Sequence, residues 1–474
     1  MLGTWPDVEP VLPDAQIDAD WLKQFPLKTK GRHIVTQAGE RFRLRGVNWY
    51  GASDCKHVVG GLDIQNLDTI CSSISALGFN TVRLPFSNEM LRSSVCGADA
   101  IDRQKNPSLD EVKPLEAFDA VIHALGRWKI AVVLNNHTSH GEWCGGPDRN
   151  GLWFDPSSDL YTEEQWIEDW AMLARRYRHC PYVVGFDLRN EVRFCPWPFR
   201  WATAKRWAAA AQRCGVRVRE ELQEEMRLLV VERIIWPMRS LEAYAAEGVL
   251  LPEWSGHLVL GVHHYSWNGP GRYLTCGHVM KGCMGVMKNL LRCMGVFSPQ
   301  NYGDMDPDQL KEPGRGKPSN EAPGVEAHLQ SLGAVWLAFG DPSFGVFNRR
   351  AVQEVLQRQW GFLLSEDRCP VWVSEFGSGS QVALPQLSFS IHLDGYDFRW
   401  LSRFVEILGK MEVDFAYWPL NVGPKPGCGG DESYGMLAAD WTLKEEPDER
   451  LELLRHHGLL PSAAPSRHCC EVNG

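Results

Sequence analysis

Two glutamates in this chain sit at or near the end of short apolar runs: Glu191 closes YVVGFDLRNE and Glu375 stands in PVWVSEF. Such a pair can cleave a glycosidic bond. One carboxyl must be protonated to donate to the leaving oxygen, and the other ionised to attack or stabilise the anomeric carbon. Their surroundings must then push the two acidities apart. Neighbouring runs supply the means. Arg83, in NTVRLPF, can hold Glu375 ionised through a charge-assisted hydrogen bond. Tyr265, closing HLVLGVHHY, can donate to the same carboxylate, and His263 in that run is placed to polarise or reprotonate Glu191. Asn190 can bond the sugar 2-hydroxyl, and Trp418, in VDFAYWPLN, can floor the sugar being cleaved. This chemistry needs no metal and no cofactor.

These residues need a scaffold that brings run ends together. Eight runs have nearly continuous apolar interiors, as in strands covered on both faces: 42–50, 80–86, 130–137, 182–191, 228–235, 257–265, 370–376 and 413–421. Helical patterns separate them, among them 62–77, 115–128, 163–177, 201–227 and 351–365. Strand–helix alternation of this length predicts an α/β fold, a (β/α)8 barrel. Function in such a barrel gathers where strands end. Strand three ends Asn135-Asn136-His137, and Asn136 is a further sugar-binding candidate. Residues 1–30 read as an irregular lead-in, 31–460 as the catalytic barrel and 461–474 as a tail. A hairpin over 31–45, turning at Ala38-Gly39, is expected to plug the barrel floor. The stretch 268–347 is too long for an ordinary loop and reads as an insertion after strand six.

Composition narrows the partner. The formal net charge is −10, which disfavours nucleic acid and suits a neutral substrate. Of the 20 Trp residues, five fall in loops after strands: Trp49, Trp143, Trp153, Trp197 and Trp267. An aromatic face matches the apolar face of a pyranose, so these are candidate sugar platforms. The 14 Cys show no zinc spacing and read mostly as core thiols. MLGTWPDVEP has neither the basic start nor the apolar run of a signal peptide, and no stretch is long enough to span a bilayer. A soluble monomer acting on carbohydrate is expected.

Taken together, the strings VRLPF, LNNH, FDLRNE, HHY, VSEFG and AYWPLN resemble glycoside hydrolase family 5, the cellulase family of clan A. The resemblance runs from Gly31 to His457. It implies a TIM barrel that hydrolyses β-glucan-type chains with retained anomeric configuration. By motif, it implies Glu191 as acid/base and Glu375 as nucleophile, with Arg83, His137, Asn190, His263, Tyr265 and Trp418 in support. It also suggests an extracellular setting. Many cellulases have Pro after the acid/base glutamate, where this chain has Val192. The competing readings are a β-mannanase, an exo-β-glucosidase or a glycolipid glycosidase on the same scaffold. A non-catalytic carbohydrate-binding barrel and a metal-dependent barrel hydrolase are further readings. The last would call for an H-x-H at strand one, where this chain has Asn48-Trp49-Tyr50.

Overall fold

A strand that is apolar on both faces is stable only between two layers, and the parallel barrel supplies them. The computed structural model describes residues 5, 9–144, 149–193, 204–223, 225–233, 254–265, 353–354, 356–379, 396–427 and 430–462. The expected insertion at 268–347, and Trp197 and Trp267, lie outside them.

A short helix α1 (Ala19–Leu22) precedes strands β1 (Lys28–Lys30) and β2 (His33–Val35), so the first thirty residues carry regular structure that the sequence reading did not assign. These two strands form an antiparallel pair joined at Gly31-Arg32, where Gly31 takes φ +54°. The expected turn at Ala38-Gly39 is a second reversal, closed by a bridge between Val35 and Arg41. The strand pairing therefore begins earlier than predicted. The floor assignment fits the contacts. Arg41 binds Asp414, and the Thr29 amide donates to Gly256; both partners lie just before or at barrel-strand starts.

The barrel strands are β3 (Arg45–Asn48), β4 (Thr81–Ser87), β5 (Ala131–Thr138), β6 (Val183–Asp187), β7 (Leu228–Glu232), β8 (Leu258–His263), β9 (Val371–Phe376) and β10 (Asp414–Tyr417). They close in sequence order, with β10 pairing back onto β3. Every pairing is parallel. Around them lie α2 (Leu67–Leu77), α3 (Asn88–Arg92), α4 (Pro114–Arg127), α5 (Glu163–Arg176), α6 (Ala204–Leu222), α7 (Phe362–Ser365), α8 (Tyr396–Met411) and α9 (Glu449–His456).

Local chemistry sets the helix ends. The predicted helix 62–77 starts only at Leu67, because the Asn66 side chain accepts from the Asp68 amide and caps it. It stops at Gly78, whose φ of +96° is open to glycine at little cost. Its buried face, Leu67, Ile70, Ile74 and Leu77, packs into the core, each side chain contributing about 1.5–3 kcal/mol of burial. In α5, Thr162 caps the N-terminus, Glu163 and Glu164 open the first turn, and Arg175 and Arg176 close the last, in accord with the helix dipole.

Indoles reach from the helices to the strand ends. Trp166 and Trp170 on α5 both donate to the Leu188 carbonyl, at 3.1 and 3.0 Å, and Trp207 on α6 donates to the Glu232 carbonyl at 2.8 Å. Cys55, Cys71, Cys96, Cys144, Cys180, Cys214 and Cys369 are free thiols. Among the described residues no helix is long and apolar enough to cross a membrane.

Candidate active site

At the C-terminal mouth of the barrel, Arg83 from β4 is fully buried and uses all five of its N–H donors. Nε binds Asp187 at 2.7 Å. One terminal nitrogen binds Asn48 at 3.0 Å and Glu375 Oε1 at 2.6 Å. The other binds Asn190 Oδ1 and Glu232 Oε1, both at 2.8 Å. Burial alone would lower the pKa of this guanidinium. The charges of Asp187, Glu232 and Glu375 outweigh it and push the pKa up.

Glu375 is gripped on both oxygens: Tyr265 donates to its Oε2 at 3.0 Å, opposite Arg83 on Oε1. The glycine after its strand is required sterically, since a Cβ on Gly377 would lie 2.2 Å from the Trp418 carbonyl. A register shift between β8 and β9 sets His263 opposite Glu375, with Ser374 as the extra residue.

Glu191 differs. Its Oε1 meets His263 Nδ1 at 2.9 Å, while its buried Oε2 has no hydrogen-bond partner among the described residues. Burial pushes its carboxyl up to about 7, with the charge of Glu375 adding and the bond to His263 opposing. Its backbone is left-handed at φ +43°, a conformation costing a non-glycine residue about 1–3 kcal/mol. The backbone amide is held at 2.9 Å by Glu232 Oε2.

His263 lies between two carboxylates, with Nε2 2.8 Å from Glu232 Oε1. Burial opposes its charge, but Glu232 and Glu375 prevail and raise it to about 10. Both ring nitrogens therefore donate. His137 is the opposite case: burial first, then the charge of Arg83, hold it well below the usual histidine range. As the neutral ring it donates from Nδ1 to Asn135 at 2.8 Å and presents Nε2 to the Asn190 amide at 3.4 Å.

Glu191, His263 and Glu375 are the one set of three potential metal ligands that converges among the described residues, with ligand atoms within 4.8 Å of one another. With both ring nitrogens donating, His263 can relay charge between the carboxylates it bonds. One oxygen of Glu191 thus lies within 4.8 Å of one oxygen of Glu375.

Above the carboxylates stands an aromatic wall. Trp418 stacks on Tyr50 at 5.2 Å and on His137 at 5.6 Å. Trp143 meets Tyr50 edge-on at 5.2 Å, and Tyr434 packs on the same group. Trp143 and Trp418, two of the expected sugar platforms, thus pack in one aromatic group.

Three expected sugar contacts are elsewhere. Asn136 faces away from the barrel axis, bonded to Asn88 and Arg189, because adjacent strand residues point to opposite faces and Asn135 takes the inner one. Trp49 is fully buried in the main core and donates to the Gly60 carbonyl; its neighbour Tyr50 joins the wall instead. Trp153 is buried against Trp207, with its N–H on Glu163, because the loop after β5 folds back onto the helices.

Sequence reasoning missed Asn48, Asp187, Glu232, Tyr50 and Tyr434. Glu232 lies inside the run 228–235 as read from the sequence, and only the structure, which ends the strand there, puts it at the rim.

Comparisons with known proteins place the chain. The family model for cellulase, glycosyl hydrolase family 5, matches residues 35–295. An endoglucanase of Paenibacillus polymyxa is 27% identical over 424 residues, covering 89% of this chain and 84% of that one. The major extracellular endoglucanase of Xanthomonas campestris pv. campestris is 37% identical over 185 residues, covering 38% of this chain and 36% of that one. The solved catalytic domain of the major Xanthomonas campestris endoglucanase has the same fold, with a TM-score of 0.61 at 23% identity over 91% of this chain and 99% of that one. A hyperthermophilic endocellulase of Pyrococcus horikoshii matches with a TM-score of 0.62 at 21% identity, over 92% and 99%. With more than half its length matched by one family model, and a closed eight-stranded barrel behind the motifs, the chain belongs to the cellulase family, glycosyl hydrolase family 5.

Proposed function

We propose that this O-glycosyl hydrolase cuts β-linked glucan chains internally by double displacement, with Glu375 as nucleophile and Glu191 as acid/base. One observation carries the reading: an oxygen of a carboxylate bound by donors on both oxygens lies within 4.8 Å of an oxygen of a carboxyl that has one oxygen without a partner among the described residues. In the first step a Glu375 oxygen attacks the anomeric carbon as the bond to the leaving oxygen breaks, and Glu191 gives that oxygen its proton. In the second, Glu191 takes a proton from water, whose oxygen displaces Glu375 and frees the sugar. The relatives named as endoglucanases support glucan and internal cleavage. Residues 31–460 form the catalytic unit in this reading, working as a monomer.

Substrate and stereochemistry are tested together. Cello-oligosaccharides, mixed-linkage glucan, mannan and glucosylceramide are incubated with the enzyme and the nascent anomer followed by proton NMR. Glucan cleavage with the β-anomer appearing first is expected. An α-anomer first would overturn double displacement, and faster turnover of mannan or of glucosylceramide would overturn the substrate.

The acid must be protonated to act, so activity is present below its titration and lost above it. The alkaline limb of kcat/KM on an aryl β-cellobioside should fall near the Glu191 value of about 7. A rate that stays level through pH 9 would remove Glu191 from that role.

A further inference from the structure

We propose that Glu232 is a positioning residue for hydrolysis, one carboxylate that fixes the backbone of Glu191, the ring of His263 and the guanidinium of Arg83 together. The proposal rests on Glu191 and Glu375 being the reacting pair.

Four donors converge on Glu232. Its Oε1 accepts from Arg83 at 2.8 Å, His263 Nε2 at 2.8 Å and Ser374 Oγ at 3.2 Å. Its Oε2 accepts from the Glu191 amide at 2.9 Å. The two partners of greatest consequence then reach the reacting carboxyls: His263 bonds Glu191, and Arg83 bonds Glu375. No other carboxylate described at the mouth bonds both the acid/base backbone and the ring that bonds its side chain.

The fold makes room for this side chain. Glu232 pairs with Gly261 across β7 and β8, and a Cβ on Gly261 would lie 2.8 Å from Glu232 Cγ. The Trp207 indole fixes the Glu232 carbonyl from the helix layer. The left-handed backbone at Glu191 gives the amide contact its purpose. That conformation aims the acid's side chain, and the Glu232 carboxylate is the acceptor that holds its N–H.

Charge is the second half of the argument. Arg83, Asp187, His263 and the Glu191 amide face Glu232, and Glu375 shares Arg83 and His263 with it. Burial would push its carboxyl up, but His263 and Arg83 hold it well down. The same negative charge is the first cause raising His263. Without it the ring loses its proton more readily, and Glu191 loses the cation that favours its ionised form.

The experiment is the pH profile of kcat/KM on an aryl β-cellobioside for the wild type, Glu232→Gln and Glu232→Asp, with Glu375→Gln alongside and folding checked by circular dichroism. Glu232→Gln removes charge but keeps size. It should lower kcat/KM by about tenfold or more and move the alkaline limb upward by about one pH unit. Glu232→Asp keeps charge but shortens the reach, so it should lower the rate with the limb in place. A folded Gln variant whose rate stays within about threefold, or whose rate falls with an unmoved limb, would overturn the proposal. Should the Gln variant fail to fold, the Asp variant decides: a lowered rate with an unmoved limb supports the proposal, and a full rate or a shifted limb overturns it. An active Glu375→Gln would show instead that the reacting pair is misassigned.

Discussion

Glu375→Gln is expected to lower turnover of an aryl β-cellobioside by on the order of 10⁴-fold or more, with the barrel still folded. An amide has no ionised oxygen to form the glycosyl–enzyme bond. It is close in size to the carboxylate, and its remaining oxygen can still accept from Arg83. Burial and packing therefore change little, while the reaction loses its first covalent step. Initial rates with a good leaving group, beside denaturation curves of both proteins, separate the two effects. Residual turnover above about 1% in a preparation free of wild type would assign the attack elsewhere. Loss of binding as well as turnover would point to a ligand-holding role.

Arg83→Met is expected to show the largest loss of stability. Its guanidinium faces Asp187, Glu232 and Glu375 in a site closed to solvent. Replacing it strands three acids beside one another, and breaking a buried ion pair from one side costs about 3–5 kcal/mol. Arg83→Lys should recover only part of this, because an ammonium has three donors where the guanidinium supplies five in a fixed fork. The denaturant midpoint at constant slope is the measurement. A surface control such as Lys23→Met, which faces Asp20, should cost no more than about 1 kcal/mol. An Arg83→Met midpoint as close to wild type as the control's would mean that the acids tolerate one another without the cation.

What the sequence made legible follows from what strands do. Glu191, His263, Tyr265 and Glu375 stand out because a polar residue at or near the end of an apolar run has few reasons to be there except the barrel mouth, and Arg83 stands out as a charge within an otherwise apolar run. Glu232 lacks that mark, because it sits within the run 228–235 and only the fold ends the strand there. Asp187 and Asn48 were harder. Their strands are buried on both faces, so no polar alternation tells inward from outward. The same blindness misassigned Asn136, whose inner neighbour Asn135 has identical chemistry. Trp49 and Trp153 failed for another reason. A position in a loop after a strand fixes which end of the barrel a residue occupies, not whether its ring turns to the cleft or to the helices. The one-residue shift between β8 and β9, which sets His263 against Glu375, has no signature in the residue order at all.

The indoles on α5 and α6 bear on how such a barrel changes over time. A strand's last carbonyls leave the sheet ladder just where the loops begin, and a buried carbonyl without a donor is costly. Here Leu188 and Glu232 receive their donors from Trp166, Trp170 and Trp207, all carried by helices. The loops between are relieved of that duty. Beyond the Asn190-Glu191 pair they can be lengthened, shortened or exchanged with those of another barrel without orphaning the rim. Loop grafting for a new sugar specificity should therefore succeed downstream of Glu191 and after β7 so long as those three tryptophans stay in place.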